Sequence, residues 1–228
     1  MYIAGDYENP VRFNLRAAKH FQAVLKDASA AIDQFDNIRA QAQALAVQGF
    51  QGFFAQVFTD NMRVCSIDAR AFVEALDKTR QMASYLQEQA EIENARRQAI
   101  REYVADHEGF FNEVRDWLCG EDAPPVLRQH HAPAPQRLGD VACGHRMQDT
   151  HARGDCRGVS GAVPERLDQA ATMLAGAGVY KGKIAALGAA YGDFSSQCCY
   201  GRLDVGNLFS QLNKWRDYNN NDVEWLRS

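Results

Sequence analysis

The stretch Gly49-Phe50-Gln51-Gly52-Phe53-Phe54 interrupts a helical pattern that otherwise fills the first hundred residues. Its two glycines lack the Cβ atoms that resist a tight bend between helices. The aromatic residues around them are expected to pack the end of this bend. The stretch therefore predicts the turn of a long antiparallel helix hairpin, with Phe50, Gly52, Phe53 and Phe54 at its tip.

The segment before the bend has the periodicity of an amphipathic helix. No Gly or Pro falls between Val11 and Gln48, and Pro10 precedes the segment, where proline favours helix initiation. Apolar residues recur every seven positions along two rows, and charged residues, Arg39 among them, are assigned to the other faces. The predicted seam residues are Ala18, Phe21, Leu25, Ala28, Ile32, Phe35, Ala42 and Gly49.

The segment after the bend, from Phe53 to about His107, is also predicted to be helical. Because Ser66 and Asp68 are residue types that cap helix N-termini, a break is expected near residues 61–68. The charged stretch from Glu88 to Arg101 is expected to face solvent. The predicted seam consists of Val57, Phe58, Met62, Ile67, Phe72, Leu76, Thr79, Ala83, Leu86 and Ala90.

Composition divides the chain into three parts. A short helix is predicted around residues 110–118, so the hairpin unit is assigned residues 1–119. Residues 120–163 hold four of the six prolines and four of the six histidines, which is typical of an irregular connector. Residues 164–228 return to a helical pattern that is rich in glycine, with a predicted helix over 205–215 that Asn219-Asn220-Asn221-Asp222 interrupts. The prediction is an all-α protein: a hairpin, a connector and a smaller helical region.

Charge and hydropathy exclude some classes of function. The formal net charge is −4 and no run of Lys and Arg stands out, which argues against binding to nucleic acid. No stretch approaches the roughly 18 apolar residues that span a bilayer. The N-terminus lacks the basic and apolar regions of a signal peptide, so a cytoplasmic location or export without a cleavable signal is expected.

The connector contains a set of metal-ligating residue types. Cys143, His145, His151 and Cys156 supply two thiols and two imidazoles, which are ligands that a tetrahedral zinc site takes. A bound metal would also order a segment that lacks its own core. The alternative interpretation is a His-rich linker whose cysteines bind nothing. Zinc is the one cofactor that the sequence suggests.

Other cysteines give no clear catalytic pattern, and no catalytic residue is assigned. Cys198 and Cys199 are neighbours, and on a helix one would face the core and the other the surface. A nucleophilic dyad of Cys119 or Cys156 with a connector histidine would be a further arrangement. Neither cysteine lies in a stretch typical of a nucleophile turn, so catalysis is not favoured.

The hairpin over residues 11–107 resembles the WXG100-like proteins and the N-terminal hairpins of type VII (ESX) secretion substrates. That family has Trp-x-Gly at its turn, where this chain has Phe50-Gln51-Gly52. It also carries a Tyr-x-x-x-Asp/Glu export signal, a form that Tyr218 and Asp222 fit, as do Tyr200 and Asp204. The resemblance implies pairing with a partner hairpin and export by the secretion machinery without a signal peptide.

The leading hypothesis is therefore a non-enzymatic interaction and export module. A two-helix hairpin buries only one seam, so its remaining apolar surface commonly pairs with another hairpin, or with a second copy, in a four-helix bundle. Two alternatives stay open. One is a zinc-stabilised intracellular adaptor, and the other is an effector whose C-terminal half carries an unrecognised activity.

Overall fold

The computed structural model describes residues 6–49, 51–107, 131–138, 141–144 and 163–227 of the 228-residue chain. Within these ranges it contains five helices and one pair of two-residue strands. The predicted all-α fold, with a long hairpin followed by a connector and a smaller helical region, is confirmed. Among the described helices, none combines the length and the apolar composition that crossing a bilayer requires.

Helix α1 spans Leu15–Ala46 and begins later than the sequence predicted. Its N-cap is Asn14, whose side-chain Oδ1 accepts hydrogen bonds from the amides of Arg16 at 2.9 Å and Ala17 at 3.2 Å. An asparagine cap satisfies amides that have no partner within the helix. Pro10 therefore lies in a segment without regular secondary structure before the helix and does not start it.

Helix α2 spans Phe53–His107 without interruption, so the predicted break near residues 61–68 is wrong. The two residues that suggested the break have partners elsewhere in the fold. The Ser66 hydroxyl donates to Asp36 of α1, and Asp68 Oδ1 accepts a 3.0 Å hydrogen bond from the Gly144 amide. Because their side chains bind other segments, neither residue starts a new helix.

The hairpin seam is confirmed with two corrections. Ile67 is 48% exposed, and Arg39, assigned to an outer face, is 1% exposed. The charged stretch near the end of α2 also differs from expectation, because Glu93 and Arg96 are buried. All other predicted seam residues are buried: Ala18, Phe21, Leu25, Ala28, Ile32, Phe35, Ala42, Gly49, Val57, Phe58, Met62, Phe72, Leu76, Thr79, Ala83, Leu86 and Ala90.

Three further helices follow: α3 (Pro164–Gly176), α4 (Val179–Gln197) and α5 (Gly206–Arg227). The glycine-rich stretch is more regular than predicted, since α4 runs through three glycines. The predicted interruption at residues 219–222 is wrong, because α5 continues through it. Asn219 and Asp222 are buried and hydrogen-bonded there, which compensates for their low helix propensity.

The described parts of the connector lie against the helices. Strand β1 (Gln136–Arg137) pairs in parallel with β2 (Leu203–Asp204), which precedes α5. The Cys143 amide donates to Gln211 Oε1 of α5 at 3.0 Å, and the Val163 amide donates to the Gly49 carbonyl at 2.6 Å. These contacts attach the described connector residues to β2, to α5 and to the bend of the hairpin.

One hydrophobic core joins the hairpin to the C-terminal helices. Helices α3 and α4 pack along α1, and α5 packs on α3. At the centre, the ring of Phe35 stacks on Tyr180 with centroids 4.1 Å apart, and Trp215 meets both rings edge-on. The face of the hairpin that carries the seam is therefore covered within the same chain.

Candidate functional site

The bend between α1 and α2 needs glycine at two positions for different reasons. Gly52 has a φ of +85°, a conformation that side chains with a Cβ rarely adopt. A Cβ on Gly49 would lie 3.2 Å from the Ala46 carbonyl oxygen and from Arg166 Cβ. Helix α3 thus approaches the backbone of the bend, and the glycines that the sequence singled out are explained.

Of the three aromatic side chains at the bend, the structure describes that of Phe53. The side chain of Phe53 is 62% exposed, so it does not fill the end of the hairpin. Leu167 of α3 packs against Gly49 instead, so α3 covers the inner side of the bend without Phe53. Phe50 and the side chain of Phe54 lie outside the described part of the structure.

An open groove of about 560 Å³ lies between α1 and α2 next to this bend. Ala40, Ala44 and Val47 share one stripe of α1, because residues four and three positions apart face the same way on a helix. None of the three belongs to the buried core. The full lining is Ala40, Gln43, Ala44, Val47, Ala55, Gln56, Thr59 and Asp60.

A buried ion pair lies in the core between the hairpin and α5. The Arg39 guanidinium contacts Asp222 Oδ2 through Nη2 at 3.3 Å and Nη1 at 3.4 Å, and the side chains are 1% and 3% exposed. Arg39 Nη2 also donates to the Met62 sulfur at 2.9 Å. Asp222, one of the two residues of the predicted export signal, therefore holds α5 to α1, while Tyr218 is half-buried one turn earlier.

Burial makes the neighbouring titratable groups unreactive. Desolvation raises the pKa of the Cys65 thiol, whose Sγ donates to Asn219 Oδ1 at 3.1 Å. Desolvation likewise raises the pKa of the Tyr180 hydroxyl beside it. Both groups stay protonated at neutral pH, so this cluster holds helices together and offers no nucleophile.

The structure describes one of the four predicted zinc ligands. Cys143 Sγ lies 3.4 Å from Asp68 Oδ2 of α2, whereas His145, His151 and Cys156 lie outside the described residues. Within the described ranges, no group of three or more His, Cys, Asp or Glu side chains is arranged to hold a metal ion. The zinc site stays a prediction.

The vicinal cysteines divide between core and surface as expected. Cys198 is the C-cap of α4 and is buried, while Cys199 is exposed. Burial raises the pKa of the Cys198 thiol, which donates to the Asn14 carbonyl at 3.4 Å. The alternative export-signal pair is also divided, since Tyr200 is buried and Asp204 lies in β2. Cys119 lies outside the described residues.

Sequence reasoning missed both the groove and the ion pair. A signal for the ion pair was present, because Arg39 stands four residues after Phe35 and three before Ala42, a seam position by spacing. Its charge outweighed that spacing in the prediction. The groove had no comparable signal, since small residues on two helices form it only when those helices pack.

Comparison of the chain with protein-family models, with curated proteins and with solved structures finds no match. The resemblance to WXG100-like proteins therefore remains a prediction.

Proposed function

We propose that this chain is a non-enzymatic helical interaction module, exported without a cleavable signal peptide, that binds one helix of a partner hairpin at its tip. The observation that carries the proposal is the groove of about 560 Å³ between α1 and α2. The secretion machinery and the partner hairpin are the protein partners that this function requires.

The chemistry of the groove favours a helix as its occupant. Ala40, Ala44 and Ala55 are small, so a packed helix can approach both helices closely. The groove also lies beside the exposed ring of Phe53, two residues before Ala55. Aromatic side chains are enriched at protein interfaces, so this ring is a suitable anchor for the partner.

The position of the groove fits a partner supplied by another chain. Helices α3, α4 and α5 already cover the seam side of the hairpin. The groove residues lie on a different face of α1 from the seam residues Phe35, Ala42 and Ala46. A partner hairpin would therefore extend the helical bundle at the tip without displacing the C-terminal helices.

Site-specific photo-crosslinking in the native host tests the interaction. A photoreactive phenylalanine replaces Ala44 in the groove, and the matched control carries it at Ala30, an exposed position of α1 nearer the other end. We expect position 44 to capture a helical hairpin protein or a second copy of this chain, identified by mass spectrometry. Absence of an adduct at position 44, or the same adducts from position 30, would refute the proposed interaction.

Export is tested separately on the same cultures. We expect intact chain, with its N-terminal residues uncleaved, in the culture medium. Detection of the chain only inside the cells would refute export while leaving the interaction result standing.

A further inference from the structure

The segment of residues 6–11, which is neither helix nor strand and bends at residues 8 and 9, lies along the last turns of α2; we call it the arm. Three arginines of α2 donate to three main-chain carbonyl oxygens of the arm. Arg96 Nη2 lies 3.1 Å from the Asp6 oxygen, Arg101 Nη1 lies 2.7 Å from that of Tyr7, and Arg97 Nη1 lies 2.7 Å from that of Asn9. Most of the arm's contacts therefore depend on its main chain.

Two further contacts fix the direction of the arm and one of its side chains. The Asp6 carboxylate pairs with Arg97 Nη1 at 2.9 Å, and the Val11 amide donates to Asn94 Oδ1 at 2.8 Å. Helix α2 thus binds an acidic side chain at one end of the arm and a main-chain amide five residues later. Pro10, next to that amide, restricts the backbone φ angle of the arm at this point.

Two of the three arginines, Arg96 and Arg97, are positioned by another residue of α2. Glu93, 1% exposed, accepts from Arg96 Nε and Nη2 at 2.7 Å each and from Arg97 Nε at 2.8 Å. Burial raises the pKa of Glu93, but the hydrogen bonds from both arginines outweigh this effect and hold the pKa below its usual value. Arg96 and Arg97 would keep this geometry if the arm left, because these bonds do not involve the arm.

The arm itself is weakly buried. Residues 6, 8, 9 and 10 are exposed, and the Asp6 side chain is 61% exposed. Two of the hydrogen bonds that hold the arm, both from Arg97 Nη1, are exposed, and segments with so little burial open at low free-energy cost compared with the core. The site is thus both preorganised and accessible to exchange.

We propose that Asn94, Arg96, Arg97 and Arg101 form a binding site for a bent, non-helical peptide segment with an acidic residue near its N-terminal end, which the arm occupies in cis. Recognition of such a peptide uses its main-chain carbonyls for affinity and its carboxylate for selectivity. The site lies at the end of α2 opposite the hairpin tip, so this inference does not depend on the proposed function.

The test uses the full chain and a fluorescein-labelled synthetic peptide with the sequence of residues 6–13, followed by fluorescence anisotropy. In the unmodified chain the tethered arm competes at an effective concentration on the order of millimolar. Asp6→Lys weakens the arm but leaves the site intact, so we expect it to bind the peptide about fivefold more tightly than the unmodified chain does. Equal affinities, or no binding to Asp6→Lys, would overturn the proposal.

Changes in the site should act in the opposite direction. Arg97→Glu in a chain that also carries Asp6→Ala should abolish binding, and a peptide with Lys in place of its aspartate should restore it. Should Arg97→Glu lose its helical circular dichroism, Arg101→Gln serves instead, because it removes only the bond to the Tyr7 carbonyl and should weaken binding severalfold. Arg70→Glu, an exposed change elsewhere on α2, is the charge control and should bind normally. Binding unaffected by Arg101→Gln and by Arg97→Glu would mean that the peptide binds elsewhere.

Discussion

Replacing Asp222 by alanine is expected to lower the free energy of unfolding by about 3–5 kcal/mol, the usual cost of leaving a buried charge unpaired. The geometry places this change at the upper part of that range. Arg39 is 1% exposed, and its guanidinium lies 3.3 and 3.4 Å from Asp222 Oδ2 through its two Nη atoms. Without the carboxylate, the guanidinium keeps the Met62 sulfur and the face of the Phe35 ring, 5.7 Å away.

That loss is a large fraction of the stability of an ordinary domain, which is about 5–15 kcal/mol. Urea unfolding at neutral pH, followed by far-UV circular dichroism, measures it. The matched control is Asp217→Ala on the same helix, whose carboxylate is 61% exposed and whose loss should cost less than about 0.5 kcal/mol.

A double-mutant cycle tests the reasoning itself. Replacing Arg39 by methionine in the Asp222→Ala chain removes both charges, so most of the lost stability should return. A cost of less than about 1 kcal/mol for Asp222→Ala alone would refute this prediction. A double variant that is less stable than the single variant by the full cost of a second lost contact would refute it too.

Two further changes test the turn before α5 and the buried glutamate of α2. Gly201→Ala should destabilise the chain by about 1–3 kcal/mol, because Gly201 has a φ of +87° and an added Cβ would lie 2.5 Å from Leu86 Cδ2. Gly182→Ala, inside α4 with open space around the new Cβ, should instead stabilise the chain by up to about 1 kcal/mol. Similar melting temperatures for the two variants would contradict this prediction. The pKa of Glu93 lies below the ordinary value of 4.5 because its hydrogen bonds outweigh its burial. The stabilisation that Glu93 provides is therefore present above pH 4.5 and is lost as the pH falls through the lower pKa of the folded state. The stability difference between the unmodified chain and Glu93→Gln should therefore shrink on acidification, and a difference independent of pH in urea unfolding would count against it.

Local pattern was sufficient for the hairpin and its seam. Residues such as Phe21, Leu25 and Ile32 repeat with the helical period, and a helix with one apolar stripe must bury that stripe whatever covers it. Gly49 and Gly52 marked the bend for a similar reason, because the backbone conformation there depends on the residue itself.

Local pattern failed where polar side chains found distant partners. Ser66 and Asp68 are typical helix caps, yet α2 continues through them because Asp36 and the Gly144 amide bind their side chains. Asp222, in a stretch that favours a turn, continues α5 because Arg39 pairs with it from 183 positions away. No window of sequence contains both members of such a pair.

The sequence by itself thus determined that the chain is helical, where the long hairpin bends, and which stripe of each long helix is buried. The tertiary structure decided that α3, α4 and α5 cover that stripe, that Arg39 and Asp222 meet in the core, and that small residues of α1 and α2 border an open groove. The physical reason is that a helix's buried face follows from the spacing of neighbours along the chain, whereas the identity of what covers it depends on how distant segments pack.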